Sequence, residues 1–217
     1  MSKPTILFDK DGTLIDTEKH YHTGWLIAFE QYGRPITPEI ALKFRSLGTP
    51  FAEEYTKELC GPDGDIHEIR RLRDKVYFDL LDKYGIELKP YAKETLTLLK
   101  EKGYRMVIVT ASTKERAIDE LTKIGLIEYF DDIVSAKTVK QGKPAPDCYL
   151  LACEKLGLDP AETFAVEDSP NGVEAAWRAG CRTVMIPDQT EPDERISSML
   201  YAKCKTLKDF ADLLVRG

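Results

Sequence analysis

Four short apolar runs, at 6–8, 106–109, 164–166 and 183–186, constrain what this chain can fold into. Runs such as Ile6-Leu7-Phe8 and Met106-Val107-Ile108-Val109 show no polar alternation. Strands of that kind are buried on both faces, as in a parallel sheet. From Tyr91 onward the runs alternate with helical periodicity, giving helices over 92–102, 114–124, 147–156, 171–179 and 207–215 and a further strand at Ile133-Val134. Alternating β and α units build a parallel sheet with helices on both faces. The expected class is α/β, with a Rossmann-like three-layer α/β/α parallel-sheet core.

The interval after the first run is different. Residues 18–86 show helical spacing and no strand pattern. Trp25, Leu26, Phe29 and Tyr32 fall at that spacing, and Gly33 comes next as a stop signal. Thr37-Pro38-Glu39 opens a second helix, with threonine as cap and proline in the first turn. Segment 45–50 breaks that helix, 51–59 resumes, Gly61-Pro62-Asp63-Gly64 turns, and a long helix runs over 66–84. The simplest account is an inserted all-helical cap domain, residues 17–88, on a core made of 1–16 and 89–217.

With 217 residues and 42% hydrophobic content, the chain can bury one good core and a smaller accessory one. A formal net charge of −6, with Lys and Arg scattered, argues against nucleic acid as a partner. No apolar stretch approaches the roughly 18 residues that a membrane span needs, so no membrane partner is expected. The N-terminus lacks a signal-peptide pattern, and the first strand starts almost at Met1, leaving nothing spare for targeting. The five cysteines are odd in number and include no Cys-x-x-Cys pair, so they read as reduced, mostly buried thiols of a cytoplasmic protein. His20 and His22 make no recognisable zinc site, and His67 reads as surface. The expected assembly is a monomer or weak dimer.

In open parallel sheets, ligands bind outside the carboxyl ends of the strands, and that rule sorts the polar residues. The first strand ends in Asp9 and Asp11, two positions apart and so aimed the same way by the pleat. Gly12 comes next, allowing a sharp turn and close approach of a ligand. Two carboxylates forced together are costly unless a cation or a proton relieves them. The next apolar strand ends in Thr110, Ala111 and Ser112, and another in Glu167 and Asp168. Lys143 lies in a loop stiffened by Pro144 and Pro146. Singly, each has an ordinary explanation: Thr110 and Ser112 as a helix cap, Lys143 as a solvated lysine, Glu167-Asp168 as an acidic strand end. Together they supply what phosphoryl transfer needs: a carboxylate nucleophile, an acid/base carboxylate, hydroxyl and amide donors, a fixed cation and carboxylates for a metal.

These residues also resemble the ordered motifs of the haloacid dehalogenase superfamily. Asp9-Lys10-Asp11-Gly12-Thr13-Leu14 is similar to its first motif and Thr110 to its second. Lys143-Pro144-Ala145-Pro146-Asp147 and Glu167-Asp168-Ser169-Pro170-Asn171-Gly172 are similar to the third and fourth. A helical insert between first and second motifs resembles the phosphoglycolate phosphatase and β-phosphoglucomutase branch. The resemblance implies that Asp9 attacks phosphorus to form an aspartyl phosphate, while Asp11 protonates the leaving oxygen and then activates water. It implies Mg2+ held by the Asp9 side chain, the Asp11 backbone carbonyl and Asp168, with Glu167 acting through water. Thr110 and Lys143 would hold phosphoryl oxygens. Lys10 stands where many relatives carry an uncharged residue, and its side chain is expected to point away from the aspartate pair. Tyr21 stands where many carry histidine.

Motifs and resemblance together point to a Mg-dependent phosphatase for small phosphorylated metabolites, of sugar phosphate or phosphoglycolate type. The alternative is a phosphomutase on the same scaffold; a non-enzymatic binding protein would not need all four motifs. Dehalogenation is disfavoured, because the second aspartate has no role in displacing a halogen. Expected substrate contacts are Gly12, Ala111 and Ser112 from the core and Arg73 from the cap, with the Gly48 break and its neighbours Arg45 and Thr49 as further cap features.

Overall fold

The computed structural model describes residues 3–216. Six parallel strands form one sheet in the order β3-β2-β1-β4-β5-β6. They are β1 (Ile6–Phe8), β2 (Met106–Thr110), β3 (Asp132–Ser135), β4 (Phe164–Glu167), β5 (Arg182–Met185) and β6 (Ala202–Lys203). The pleat sends Ile6 and Phe8 to one face and Leu7 to the other. Ile6 and Phe8 pack beneath α5 (Ala92–Glu101), α6 (Lys114–Lys123) and α10 (Leu207–Arg216), through Leu96, Leu121 and Phe210. Leu7 packs with Val107 and Ala165 beneath α7 (Asp147–Leu156) and α8 (Pro170–Arg178). Each large apolar side chain so buried contributes roughly 1.5–3 kcal/mol. β1 has a neighbour on each side, β2 and β4, so the loop leaving its carboxyl end emerges over the middle of the sheet.

The expected strands extend by a residue at several ends, and two elements were not expected: the short α9 (Glu194–Ser197) and β6. The insert is helical, as the spacing implies, with α1 (Glu18–Gln31), α2 (Pro38–Lys43), α3 (Thr49–Cys60) and α4 (Ile66–Tyr84). It has a core of its own, built on Trp25, Phe29, Phe44, Ile66 and Ile69, separate from the two layers of the sheet. Thr37 caps α2 through Ile40 N, and Asp65 caps α4 through His67 N at 2.8 Å. The insert leaves and rejoins the sheet side by side. Asp16 N donates to Glu87 O at 2.8 Å, Lys89 N donates to Leu14 O at 2.9 Å, and Ile15 bridges Leu88 in antiparallel sense. Among the described residues no helix is long and apolar enough to cross a membrane.

Candidate active site

The carboxyl edge of β1, β2 and β4 and the loop before α7 bring Asp9, Asp11, Thr110, Ser112, Lys143, Glu167 and Asp168 into one buried cluster. Lys143 is the link between two strands: its Nζ donates to Asp9 Oδ1 at 2.5 Å and pairs with Glu167 Oε1 at 2.6 Å. The Tyr149 hydroxyl donates to the same Glu167 oxygen at 2.5 Å. Lys143 is therefore fixed rather than solvated. Thr110 and Ser112 do not cap α6, since that bond comes from Thr113, whose Oγ1 accepts from Arg116 N at 3.3 Å. Instead, Thr110 Oγ1 accepts from Ser112 N at 3.1 Å, and Ser112 Oγ donates to Asp11 Oδ2 at 3.3 Å.

The donor set fits a divalent cation. Asp9, Glu167 and Asp168 can each place one carboxylate oxygen within 4.8 Å of the others. Asp9 Oδ2, Glu167 Oε2 and both Asp168 oxygens are buried without a hydrogen-bond partner. Buried acceptors of that kind are costly unless a cation or donor meets them. Hard oxygen ligands are what Mg2+ and Ca2+ select. Burial pushes the Asp9 carboxyl well up against the pull of Lys143, with Glu167, Asp168 and Asp11 pushing the same way. Asp168 rises to about 7, by burial first and against the pull of Arg45. Glu167 lies in the same cluster, its Oε1 held by Lys143 and Tyr149.

Gly12 has φ +80, and a Cβ there would fall 2.1 Å from Asp168 Oδ2. Its bareness makes room for that carboxylate.

Lys10 corrects the expectation that its side chain points away. It is fully buried, donates to Asp11 Oδ1 at 2.8 Å and pairs with Glu120 on α6. The reason is local: β1 stops at Phe8, and the amides of Leu14 and Ile15 fold back onto Lys10 O, so strand alternation does not extend to position 10. Asp11 Oδ1 also accepts from Thr17 Oγ1 at 2.6 Å. Burial alone raises the Asp11 carboxyl, but Lys10, its hydrogen bond and Thr17 outweigh that and bring it below the usual carboxylate range.

The cap closes over this edge. Gly48 N donates to Lys143 O at 2.7 Å, and a Cβ at Gly48 would lie 2.7 Å from Gly142 Cα, so the two backbones touch. Arg45, also buried, donates from Nη2 to Asp168 O at 2.9 Å, and Asn171 Nδ2 holds Arg45 O at 2.8 Å. Tyr77 on α4 donates its hydroxyl to Glu120 Oε1 at 3.1 Å. Between cap and core lies a cavity of about 140 Å³ that Asp9, Asp11, Ala111 and Ser112 line from below and Tyr21, Trp25, Arg70 and Arg73 from the cap. The expected Arg73 is there, its guanidinium 4.5 Å from the Trp25 ring and 5.1 Å from that of Tyr21, and bonded to Asp74 Oδ1 at 2.6 Å. Gly12, Thr110 and Lys143 lie outside that lining. Arg70, Arg116 and Lys137 also line the cavity and were missed. Arg70 shares a helix face with Arg73 at i, i+3 spacing, and Lys137 lies just past the carboxyl end of β3, so both signals were present in the sequence.

A parallel sheet whose central strand delivers a carboxylate pair beneath a helical cap, with a buried lysine and a cation-ready acidic cluster beside it, is the layout of a capped α/β phosphatase. The chain matches the model of haloacid dehalogenase-like hydrolases over residues 6–186 and belongs to that family. It is 32% identical over 188 residues to a phosphorylated carbohydrates phosphatase of Thermotoga maritima, covering 82% of this chain and 82% of that protein. It is 31% identical over 213 residues to the pyrophosphatase PpaX of Bacillus velezensis, covering 96% and 94% respectively. CbbY of Rhodobacter sphaeroides, solved in complex with phosphate, superposes with a TM-score of 0.74 at 25% identity, over 96% of each chain.

Proposed function

We propose that this chain is a Mg2+-dependent phosphatase for small phosphorylated metabolites, working through an aspartyl phosphate on Asp9. One observation carries the reading: Asp9 presents one oxygen to Lys143 and leaves the other, Oδ2, buried and unpartnered beside Glu167 and Asp168. The Asp9 carboxylate attacks phosphorus, the bond to the leaving oxygen breaks, and Asp11, protonated from solvent as substrate binds, gives that oxygen its proton. Asp11 then takes a proton from water, which cleaves the aspartyl phosphate and regenerates Asp9. The protein's own charges hold Asp11 ionised. The arriving phosphoryl dianion supplies the like charge that raises it toward a group able to give a proton. A cation held by Asp9, Asp168 and the Asp11 carbonyl, with Glu167 reached through water, would lower Asp9 and neutralise charge on the phosphoryl oxygens. Lys143, Thr110, Ser112 and the amide of Ala111 are assigned to the phosphoryl oxygens, Gly12 to their close approach, since its own amide donates to Ile15 O at 2.8 Å, and Arg73 to the leaving group.

On this reading residues 17–88 are the cap that excludes water and 1–16 with 89–217 the catalytic core. The proposed assembly is a monomer or weak dimer, and five free thiols support a cytoplasmic setting. The Thermotoga relative acts on phosphorylated carbohydrates, which supports a sugar phosphate as the substrate class. The test is turnover of an aryl phosphate before and after exhaustive chelation, then a panel of phosphorylated metabolites compared by kcat/KM. Magnesium should restore activity and calcium should not, because calcium's larger, irregular shell spoils in-line attack. Full activity after chelation breaks the reading. Transfer of the phosphoryl group to an added sugar in preference to water would instead establish the mutase alternative.

A further inference from the structure

Where cap and core meet, the cavity holds more positive charge than the neighbouring carboxylates answer. Besides Arg45, which is bonded to Asp168 O, four cations line it: Arg70 and Arg73 on α4, Arg116 on α6 and Lys137 after β3. Arg73 is answered by Asp74 at 2.6 Å and Arg116 by Glu120 at 2.9 Å, although Glu120 already holds Lys10. Arg70 meets only neutral oxygens, Thr49 Oγ1 at 2.7 Å and Leu47 O at 2.8 Å. Among the described residues the Lys137 ammonium has no hydrogen bond or ion pair. Arg70 and Lys137 also share the adjoining recess between the Gly48 loop and Lys143.

Such a pair repels itself. Lys137 is open to solvent along part of its length. Its pKa nevertheless falls to about 8, by burial first and then by the charges of Arg70 and Arg73. Arg70 falls to about 10, by burial first and then by Arg73. The charges that act most on Lys137 are Arg70, Arg73, Asp74 and Arg116, and none of the core carboxylates is among them. The two cations therefore do not serve Asp9 or its cation cluster. Neighbouring cations with no anion between them are favourable only once an anion arrives.

We propose that Arg70 and Lys137 form a second anion subsite, so that the preferred substrate is a phosphate monoester whose leaving group carries a further negative charge. The inference rests on the phosphatase reading above. Lys143 and the strand ends take the phosphoryl group, while Arg70 and Lys137 take the tail, which is either a carboxylate or a second phosphate. Arg73, held on Tyr21 and Trp25, lines the passage between them.

The test uses three esters of equal length: 3-hydroxypropyl phosphate with a neutral tail, 3-phosphooxypropanoate with a carboxylate, and propane-1,3-diyl bisphosphate with a phosphate. An aryl phosphate serves as the general control. For the native chain, kcat/KM should be at least about tenfold higher with one of the anionic tails than with the neutral one. Whichever anionic tail wins identifies the source of the charge. Lys137→Glu should cut that preference by about tenfold or more, and Lys137→Arg should keep most of it. Because Arg70 also pins the Gly48 loop, Lys137 on its exposed turn is the cleaner probe, and Arg70→Lys is the second variant. Equal rates on all three esters, or a preference that survives Lys137→Glu, would overturn the subsite while leaving the phosphatase intact. No turnover of any ester or of the aryl phosphate would instead overturn the phosphatase reading.

Discussion

The two halves of the cavity are built on opposite principles. On the core side each buried cation is answered: Lys143 by Asp9 and Glu167, Lys10 by Asp11 and Glu120. The groups sit at strand ends, whose positions the sheet register fixes to within a side chain's reach. Around the rest of the cavity the cations come from both domains: Arg73 on α4 lies 4.5 Å from Trp25 and Arg116 on α6 lies 4.2 Å from Tyr77, while Arg70 and Lys137 have no carboxylate. The core can grip only the phosphoryl group that all substrates share. Discrimination falls to the half whose charges are left open.

The contrast can be broken most severely at Asp9. Asp9→Asn should fold normally by circular dichroism and lose essentially all turnover on every phosphate ester. Residual activity within about tenfold of the native chain would remove Asp9 as nucleophile. Asp11→Asn should cost less, about 10²–10⁴-fold in kcat on all substrates alike, the usual worth of acid/base catalysis. A loss confined to poor leaving groups would assign Asp11 to protonation alone.

The cap half should respond selectively. Arg73→Ala should lower kcat/KM for the best metabolite by about 1.5–3 kcal/mol, the range of a hydrogen bond from a charged group. The loss on a small aryl phosphate should be smaller. Equal losses on both would place Arg73 in closure, through its stacking on Tyr21 and Trp25.

The smallest effect concerns pH. Lys137 is held down to about 8 by burial, with Arg70, Arg73 and Arg116 pressing the same way and Asp74 opposing. It is protonated below that value and loses its charge above it. The preference for an anionic over a neutral tail should therefore decline as pH rises through about 8. Taking the ratio of kcat/KM for the two esters cancels the titration of the shared core. A ratio unchanged between pH 7 and 9 would take Lys137 out of tail binding.

Much of the fold and the core site was legible in the sequence, and for a physical reason. A strand buried on both faces has no choice but an apolar run, and a parallel sheet puts its chemistry at carboxyl ends, so Asp9, Asp11, Thr110, Lys143, Glu167 and Asp168 could be found by order alone. Lys10 could not. Its partner Glu120 is 110 positions away on α6, and the turn at Leu14 and Ile15 cancels the alternation rule. β6 was too short to leave a pattern, at two residues with Lys203 exposed. Arg70, Arg71 and Arg73 crowd one stretch of α4, and only packing separates the members. Arg71 turns outward to Glu68, while Arg70 and Arg73 face the cavity.

The pairing of Ile15 with Leu88 has a consequence of another kind. Because the insert enters and leaves through two backbone segments bonded side by side, the sheet does not register how long the excursion is or what it contains. The helical module can be exchanged as a cassette: a loop of a few residues joining Asp16 to Glu87 would leave the order of the six strands unchanged. Most leaving-group contacts can then change with the lid, while Lys137, on the core side, stays behind with the phosphoryl chemistry.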